Sequence, residues 1–177
     1  MEKNFDLDKY IRKVPDFPTK GTLFYDITSI LMSPEAFQYC IDSMVEIYSG
    51  KEIDAVAAVE ARGFIFAAPF AIRMGIPLIL IRKKGKLPGK TISKSYELEY
   101  AQAEIEVHVE DVPKGKKILL MDDLIATGGT FNAARELITR LGGEVEELFG
   151  IVGLPFLHYD SILKDLNVKT LINYDSE

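Results

Sequence analysis

The sequence predicts an α/β chain built on one mostly parallel sheet flanked by helices. Three apolar runs, Ile53 to Val59, Pro77 to Arg82 and Lys116 to Asp122, read as buried strands, and helical stretches separate them. That alternation favours parallel strands joined by helices packed on both faces. No internal repeat or low-complexity linker interrupts the chain. Residues 1–177 are therefore read as one domain, large enough to bury about 70% of its unfolded surface.

The elements follow in order. Phe5 to Lys13 reads as a short helix, and the two prolines and glycine of Val14-Pro15-Asp16-Phe17-Pro18-Thr19-Lys20-Gly21 end it. Ser33-Pro34 reads as an N-cap followed by proline in the first helical turn. Phe37, Cys40, Ile41, Met44, Val45 and Tyr48 then share one helical stripe, closed by Ser49-Gly50. A helix is expected near Phe64 to Met74, with its start or straightness left open by Pro69. Another runs from about Gly129 to Leu141 and stops at Gly142-Gly143. Val145 to Val152 and Lys169 to Asn173 look like further strands. Two segments break the rhythm. Lys83 to Thr91 is basic and turn-rich, and Tyr96 to Tyr100 with Glu104 to Val109 shows the two-residue alternation of a hairpin. A long polar excursion inside a compact domain is usually functional, and this one reads as a lid.

Composition narrows the function. Hydrophobic residues make up 47% of the chain and charged residues 27%, with a net charge of −6. An acidic surface does not attract nucleic acid or anionic membrane, so neither is an expected partner. The single cysteine, Cys40, excludes an intrachain disulfide and reads as a small buried hydrophobe. His108 and His158 join no pattern and read as surface or structural residues. The start of the chain lacks a secretory pattern, and Arg62, Pro69, Arg73 and Pro77 interrupt the most apolar region, so a cytoplasmic location is expected.

The chemistry concentrates in Ile118-Leu119-Leu120-Met121-Asp122-Asp123-Leu124-Ile125-Ala126-Thr127-Gly128-Gly129-Thr130. An apolar strand delivers two adjacent acids, then a Thr-Gly-Gly-Thr turn, then a helix. Glycines let successive amides point inward, and the helix start adds positive potential, which together make a phosphate cradle. Thr127 and Thr130 add hydroxyls. Asp122 and Asp123 repel phosphate but suit ribose hydroxyls or a cationic sugar beside it. The string lacks the lysine of the common nucleotide-hydrolase phosphate loop. Helix-capping aspartates and an ordinary glycine turn are the bland alternative.

This string resembles the phosphoribosyl-pyrophosphate loop of the type I phosphoribosyltransferases, and its second half is especially similar to the adenine phosphoribosyltransferases. Pro15-Asp16-Phe17-Pro18, Glu60-Ala61-Arg62-Gly63-Phe64, Arg82-Lys83-Lys84-Gly85-Lys86-Leu87-Pro88-Gly89 and Tyr96-Glu97-Leu98-Glu99-Tyr100 resemble the same family, in its order. The resemblance runs from about Ile11 to Val152. It implies a hood formed by the N-terminal segment and the C-terminal part, a mobile lid, and a homodimer. The implied reaction attaches the ribose of phosphoribosyl pyrophosphate to adenine, giving AMP and pyrophosphate in purine salvage. Mg²⁺ is implied as well, carried mainly on the substrate, where a hard cation neutralises the departing pyrophosphate.

The same resemblance distributes the roles. Asp122, Asp123, Ala126, Thr127, Gly128, Gly129 and Thr130 hold ribose and 5′-phosphate. Ala61, Arg62, Gly63, Arg82, Lys83 and Lys86 hold pyrophosphate, the first of these loops often with a strained peptide. Glu99 and Tyr100 close over the sugar and base, with Glu99 as catalytic acid or base and Arg62 drawing off the leaving group. Leu23, Phe24 and Leu154 surround adenine. The residues themselves leave alternatives open. Arg62 also reads as a surface charge, Arg82, Lys83 and Lys86 as a solvated basic loop, Phe24 as a core ring, and Glu99 as one of several exposed strand glutamates with Glu97, Glu104 and Glu106. A 6-oxopurine substrate is the rival within the family, and the Leu-Glu-Tyr lid favours adenine over it. A ligand-sensing regulator of the same fold is the rival outside it. Three positions depart from the family pattern: Tyr25 replaces a basic residue, Ala101 replaces glycine, and the stretch around His158 lacks a Gly-Arg element.

Overall fold

The computed structural model describes residues 5–98 and 101–176. The chain opens with a single 3₁₀ turn, Leu7–Tyr10, in place of the longer helix expected there. It then forms β1 (Arg12–Pro15) and β2 (Leu23–Asp26), a separate antiparallel ribbon with Arg12 opposite Asp26 and Pro15 opposite Leu23. The ribbon hydrogen bonds satisfy backbone that a helix ending at Pro15 could not. A short turn of helix, α1 (Thr28–Leu31), leads to α2 (Pro34–Tyr48), where the Ser33 hydroxyl accepts from the Ala36 amide as its cap residue implies.

Next come β3 (Ala55–Val59), α3 (Gly63–Met74) and β4 (Leu78–Lys83). Helix α3 runs through Pro69. Proline removes one ladder hydrogen bond, and burial of Phe66 and Phe70 on either side of it offsets the loss. The segment read as a lid is β5 (Thr91–Leu98) and β6 (Ala101–His108), paired from Thr91 opposite His108 to Leu98 opposite Ala101. Both strands are longer than the sequence pattern suggests. The hairpin is also no detached excursion, because β6 pairs antiparallel with β4 and extends the main sheet. The second half comprises β7 (Ile118–Ile125), α4 (Gly129–Arg140), β8 (Glu147–Gly153), α5 (Tyr159–Ile162) and β9 (Asn167–Asn173).

Among the described residues the main sheet has the order β5-β6-β4-β3-β7-β8-β9, with β4 through β9 in that order parallel from β4 onward. Strand alternation sorts the core onto two faces. Val56, Ala58, Leu119 and Met121 pack with α2 and α3, while Ala57, Leu120 and Leu148 pack with α4. Cys40 is fully buried among the first group, and burial pushes its thiol up to about 12, which leaves it inert. No helix among the described residues is long and apolar enough to cross a membrane.

Candidate functional site

Ligands of open parallel sheets bind beyond the carboxyl ends of the strands, where the chain order reverses. Here β3 is followed by β4 on one side, and the chain later returns on the other side as β7, so the reversal lies between β3 and β7. Three loops leave that edge: Glu60 to Gly63 after β3, Lys83 to Leu87 after β4, and Ala126 to Gly128 after β7.

The first loop carries a cis peptide between Glu60 and Ala61 and delivers Arg62 and Gly63 to the start of α3. Arg62 Nε lies 2.7 Å from Asp123 Oδ2, an ion pair that spans the reversal point, and the Asp123 side chain is only 5% exposed. The guanidinium carbon of Arg62 also sits 5.9 Å from the centre of the Phe24 ring. Phe24 is half-buried and meets Phe17 edge-on at 5.0 Å, so it belongs to the rim of the site and not to the core. Gly63 is required by close approach. A Cβ there would fall 2.8 Å from Asp122 Oδ1 and 3.1 Å from Asp122 Cα.

Strand β7 runs past both acids to Ile125, longer than the sequence suggests, because pairing with β8 continues to Gly153. Asp122 Oδ1 accepts from the Asp123 amide at 2.8 Å. Burial, reinforced by the charge of Asp123, pushes the Asp122 carboxyl well above the usual carboxylate range. The turn that follows places Gly128 at φ 85°, a left-handed conformation suited to glycine, and no side chain caps α4. The Asn132 amide makes the first bond back to the Gly128 carbonyl, so the amides before it lack helical acceptors. Thr127 is exposed, Ala126 and Gly129 are half-buried, and Thr130 Oγ1 lies 3.3 Å from the Tyr96 hydroxyl on β5.

The basic loop is organised by carboxylates. Arg82 donates from Nε to Glu60 Oε2 at 2.9 Å and from a terminal nitrogen to the Lys86 carbonyl at 3.1 Å, so its guanidinium is committed to the loop. The Lys83 amide donates to the same Glu60 oxygen at 3.1 Å. Burial pushes the Glu60 carboxyl up, but hydrogen bonds from Arg82 and Lys83 outweigh it and hold the group below its ordinary value. Lys84 is paired with Glu104 and Ser93. The side chains of Lys83 and Lys86 are exposed and have no hydrogen-bond or ion-pair partner among the described residues.

Leu23 is half-buried on β2, and Leu154 is 7% exposed, packed in the core with its amide bonded to the Ile125 carbonyl. Glu99 and Tyr100 lie outside the described residues. Tyr25 stacks on Tyr174 at 4.0 Å and donates to the Ser176 carbonyl, tying the ribbon to the segment after β9. The sequence reading missed Glu60 and Tyr96 as contacts, and its view of Glu106 as an exposed strand glutamate is corrected, because Glu106 is 3% exposed. Among the described residues, no group of three or more His, Cys, Asp or Glu side chains is arranged to hold a metal.

The phosphoribosyl transferase domain family matches residues 26–164. An adenine phosphoribosyltransferase of Treponema denticola is 67% identical over 171 residues, covering 97% of this chain and 90% of the relative. The crystal structure of adenine phosphoribosyltransferase from Thermoanaerobacter pseudethanolicus superposes with a TM-score of 0.91 at 41% identity, covering 95% of this chain and 98% of the other. The Saccharomyces cerevisiae enzyme, solved with an iminoaltritol bisphosphate and adenine, has a TM-score of 0.87 at 35% identity over 93% of this chain and 96% of its own.

Proposed function

The chain belongs to the adenine phosphoribosyltransferases, and from that premise we propose how its residues divide the reaction. The protein transfers the phosphoribosyl group of 5-phosphoribosyl-1-pyrophosphate to adenine, forming AMP and pyrophosphate. One observation carries the assignment of parts. On adjacent strands, one loop ends in a guanidinium and the next in an uncapped helix start, with two acids on the strand that leads to it.

In this reading the 5′-phosphate sits on the amides of Gly128, Gly129 and Thr130, with the hydroxyls of Thr127 and Thr130 and the backbone of Ala126 beside it. Asp122 and Asp123 face the ribose. The anomeric carbon gains positive charge as pyrophosphate leaves, and a nearby carboxylate stabilises that charge. Arg62 exchanges its pairing with Asp123 for the pyrophosphate, joined by the backbone of Ala61 and Gly63 and the free ammonium groups of Lys83 and Lys86. Arg82 contributes by fixing the loop. Leu23 and Phe24 flank adenine, and Leu154 supports that wall from the core. Glu99 relays the proton of the purine while Tyr100 covers the sugar. Magnesium, carried on the donor and not in a protein cage, would supply positive charge to offset that of the departing pyrophosphate, beside Arg62, Lys83 and Lys86.

The protein works in the cytoplasm as a homodimer in this proposal. Ile65 and Ile72, seven residues apart on one side of α3, are 38% and 82% exposed, and a second copy of the chain covers that stripe.

The test offers adenine, hypoxanthine and guanine in turn to the purified protein with donor and magnesium. Rapid release of pyrophosphate and AMP formation with adenine alone is expected. Preference for either oxopurine would overturn the choice of base.

A further inference from the structure

Glu106 is buried in the hairpin, and its hydrogen bonds go neither to Arg62 nor to the phosphate turn. Its surroundings are specific. It sits on β6 opposite Arg82 of β4, at the seam where the hairpin joins the sheet. Its Oε1 accepts from the Lys86 amide at 2.9 Å and from the Leu87 amide at 2.9 Å, and its Oε2 accepts from the Thr91 hydroxyl at 3.1 Å. Burial pushes the carboxyl up, but the Leu87 amide, the Thr91 hydroxyl and the Lys86 amide together hold it below its ordinary value. The group is therefore a buried carboxylate whose ligands are the backbone of the basic loop. From the other side, Arg82 holds the Lys86 carbonyl. Lys86 is thus gripped at both its amide and its carbonyl, while its ammonium remains exposed.

A flexible basic loop loses entropy each time it closes on an anion, and a loop fixed in advance does not. We propose that Glu106 is a positioning residue for donor binding: it holds the backbone of Lys86 and Leu87 so that Lys83 and Lys86 stand ready for the pyrophosphate. The proposal rests on the reading of those two lysines as pyrophosphate ligands. It also explains why a carboxylate lies under an anion-binding loop, where its charge alone would oppose binding. The backbone amides and the Thr91 hydroxyl absorb that charge locally.

Steady-state kinetics with the donor varied at saturating adenine tests this. Glu106→Ala should raise the donor KM about tenfold or more, with kcat and the adenine KM within about twofold of wild type. Glu106→Gln should restore most of the donor KM, because its amide oxygen accepts from both backbone amides and its NH₂ donates to Thr91. Thr91→Val should give a smaller rise, about two- to threefold. A wild-type donor KM in Glu106→Ala, or a Gln variant as impaired as the Ala variant, would overturn the proposal. Should the Ala variant not fold, an unchanged donor KM in Thr91→Val overturns it instead. Lys83→Ala and Lys86→Ala, measured alongside, separate the two readings. If they leave the donor KM unchanged, the pyrophosphate assignment of the loop is what fails.

Discussion

Both ends of the parallel strands are crowded with charge, and only one of them looks like a site when the pairing of those charges is followed. At the amino ends of β3, β7 and β8, a cleft of about 310 Å³ is lined by Lys51, Glu52, Lys117, Glu144, Glu146 and Glu147, among others. There the cations are matched: Lys51 with Glu147 at 2.6 Å, Lys117 with Glu52 at 3.0 Å, and Lys116 nearby with Asp54 at 3.1 Å. At the carboxyl ends Lys83 and Lys86 have no hydrogen-bond or ion-pair partner among the described residues, and the carboxylates of Glu60 and Glu106 bind backbone amides as well as side chains. Charge density alone would pick the first region. Unpaired charge on preorganised backbone picks the second, since a charge already neutralised by a neighbour offers little to a ligand.

The largest expected effect that sharpens this contrast is at Arg62. Arg62→Ala should lower kcat/KM by about 10²–10³-fold, roughly 2.7–4 kcal/mol, the scale for losing a preorganised electrostatic donor. It also leaves Asp123 buried without its cation, so a denaturation curve should accompany the kinetics. Turnover at the wild-type level would remove Arg62 from the reaction. A smaller effect is expected at Gly63→Ala. The new methyl group meets Asp122 Cα at 3.1 Å and the Met121 carbonyl at 3.3 Å, which are backbone atoms that cannot swing aside. The start of α3 must then move off β7, at a cost of about 1–3 kcal/mol in stability. Because Arg62 moves with it, kcat/KM should fall too. An unchanged melting curve would show that the close approach carries no weight.

What the sequence disclosed follows from periodicity and local chemistry. The Ser33 cap, the α2 stripe and the strand-turn-helix of β7 and α4 are each written in a few consecutive residues, and each stands close to where it was expected. The N-terminal segment misled because its backbone is satisfied by a ribbon partner, Leu23 to Asp26, whose paired residues lie eight to fourteen positions away in sequence. Glu106 was illegible for a related reason. Glu104 and Glu106 alternate identically along β6, yet the first pairs with Lys84 near the surface and the second is buried beneath the loop. Only the return of the chain after β4 decides between them, and no local pattern records it. Tyr25 shows the same limit, since its partner Tyr174 lies at the far end of the chain.

The smallest expected effect belongs to the matched charges at the amino ends. Lys51 and Lys169 both reach Glu147, at 2.6 Å and 3.8 Å, and both lie over the Tyr48 ring, at 5.0 Å and 5.5 Å. Side chains there are 32% and 23% exposed for Lys51 and Glu147, so water screens the pair and a loss of about 1 kcal/mol or less is expected from Lys51→Ala. Glu147→Gln should cost more than Lys51→Ala, because it leaves two ammonium groups together with no carboxylate between them. The neighbouring Lys51 is already the main influence lowering the Lys169 ammonium below its ordinary value. Added salt should shrink that difference, and kcat/KM should stay at the wild-type value in both variants. Urea denaturation at low and high salt, with kinetics on the same samples, measures all three quantities. A fall in kcat/KM with an unchanged donor site would mean that the paired edge takes part in the reaction, and the contrast between the two ends of the sheet would fail.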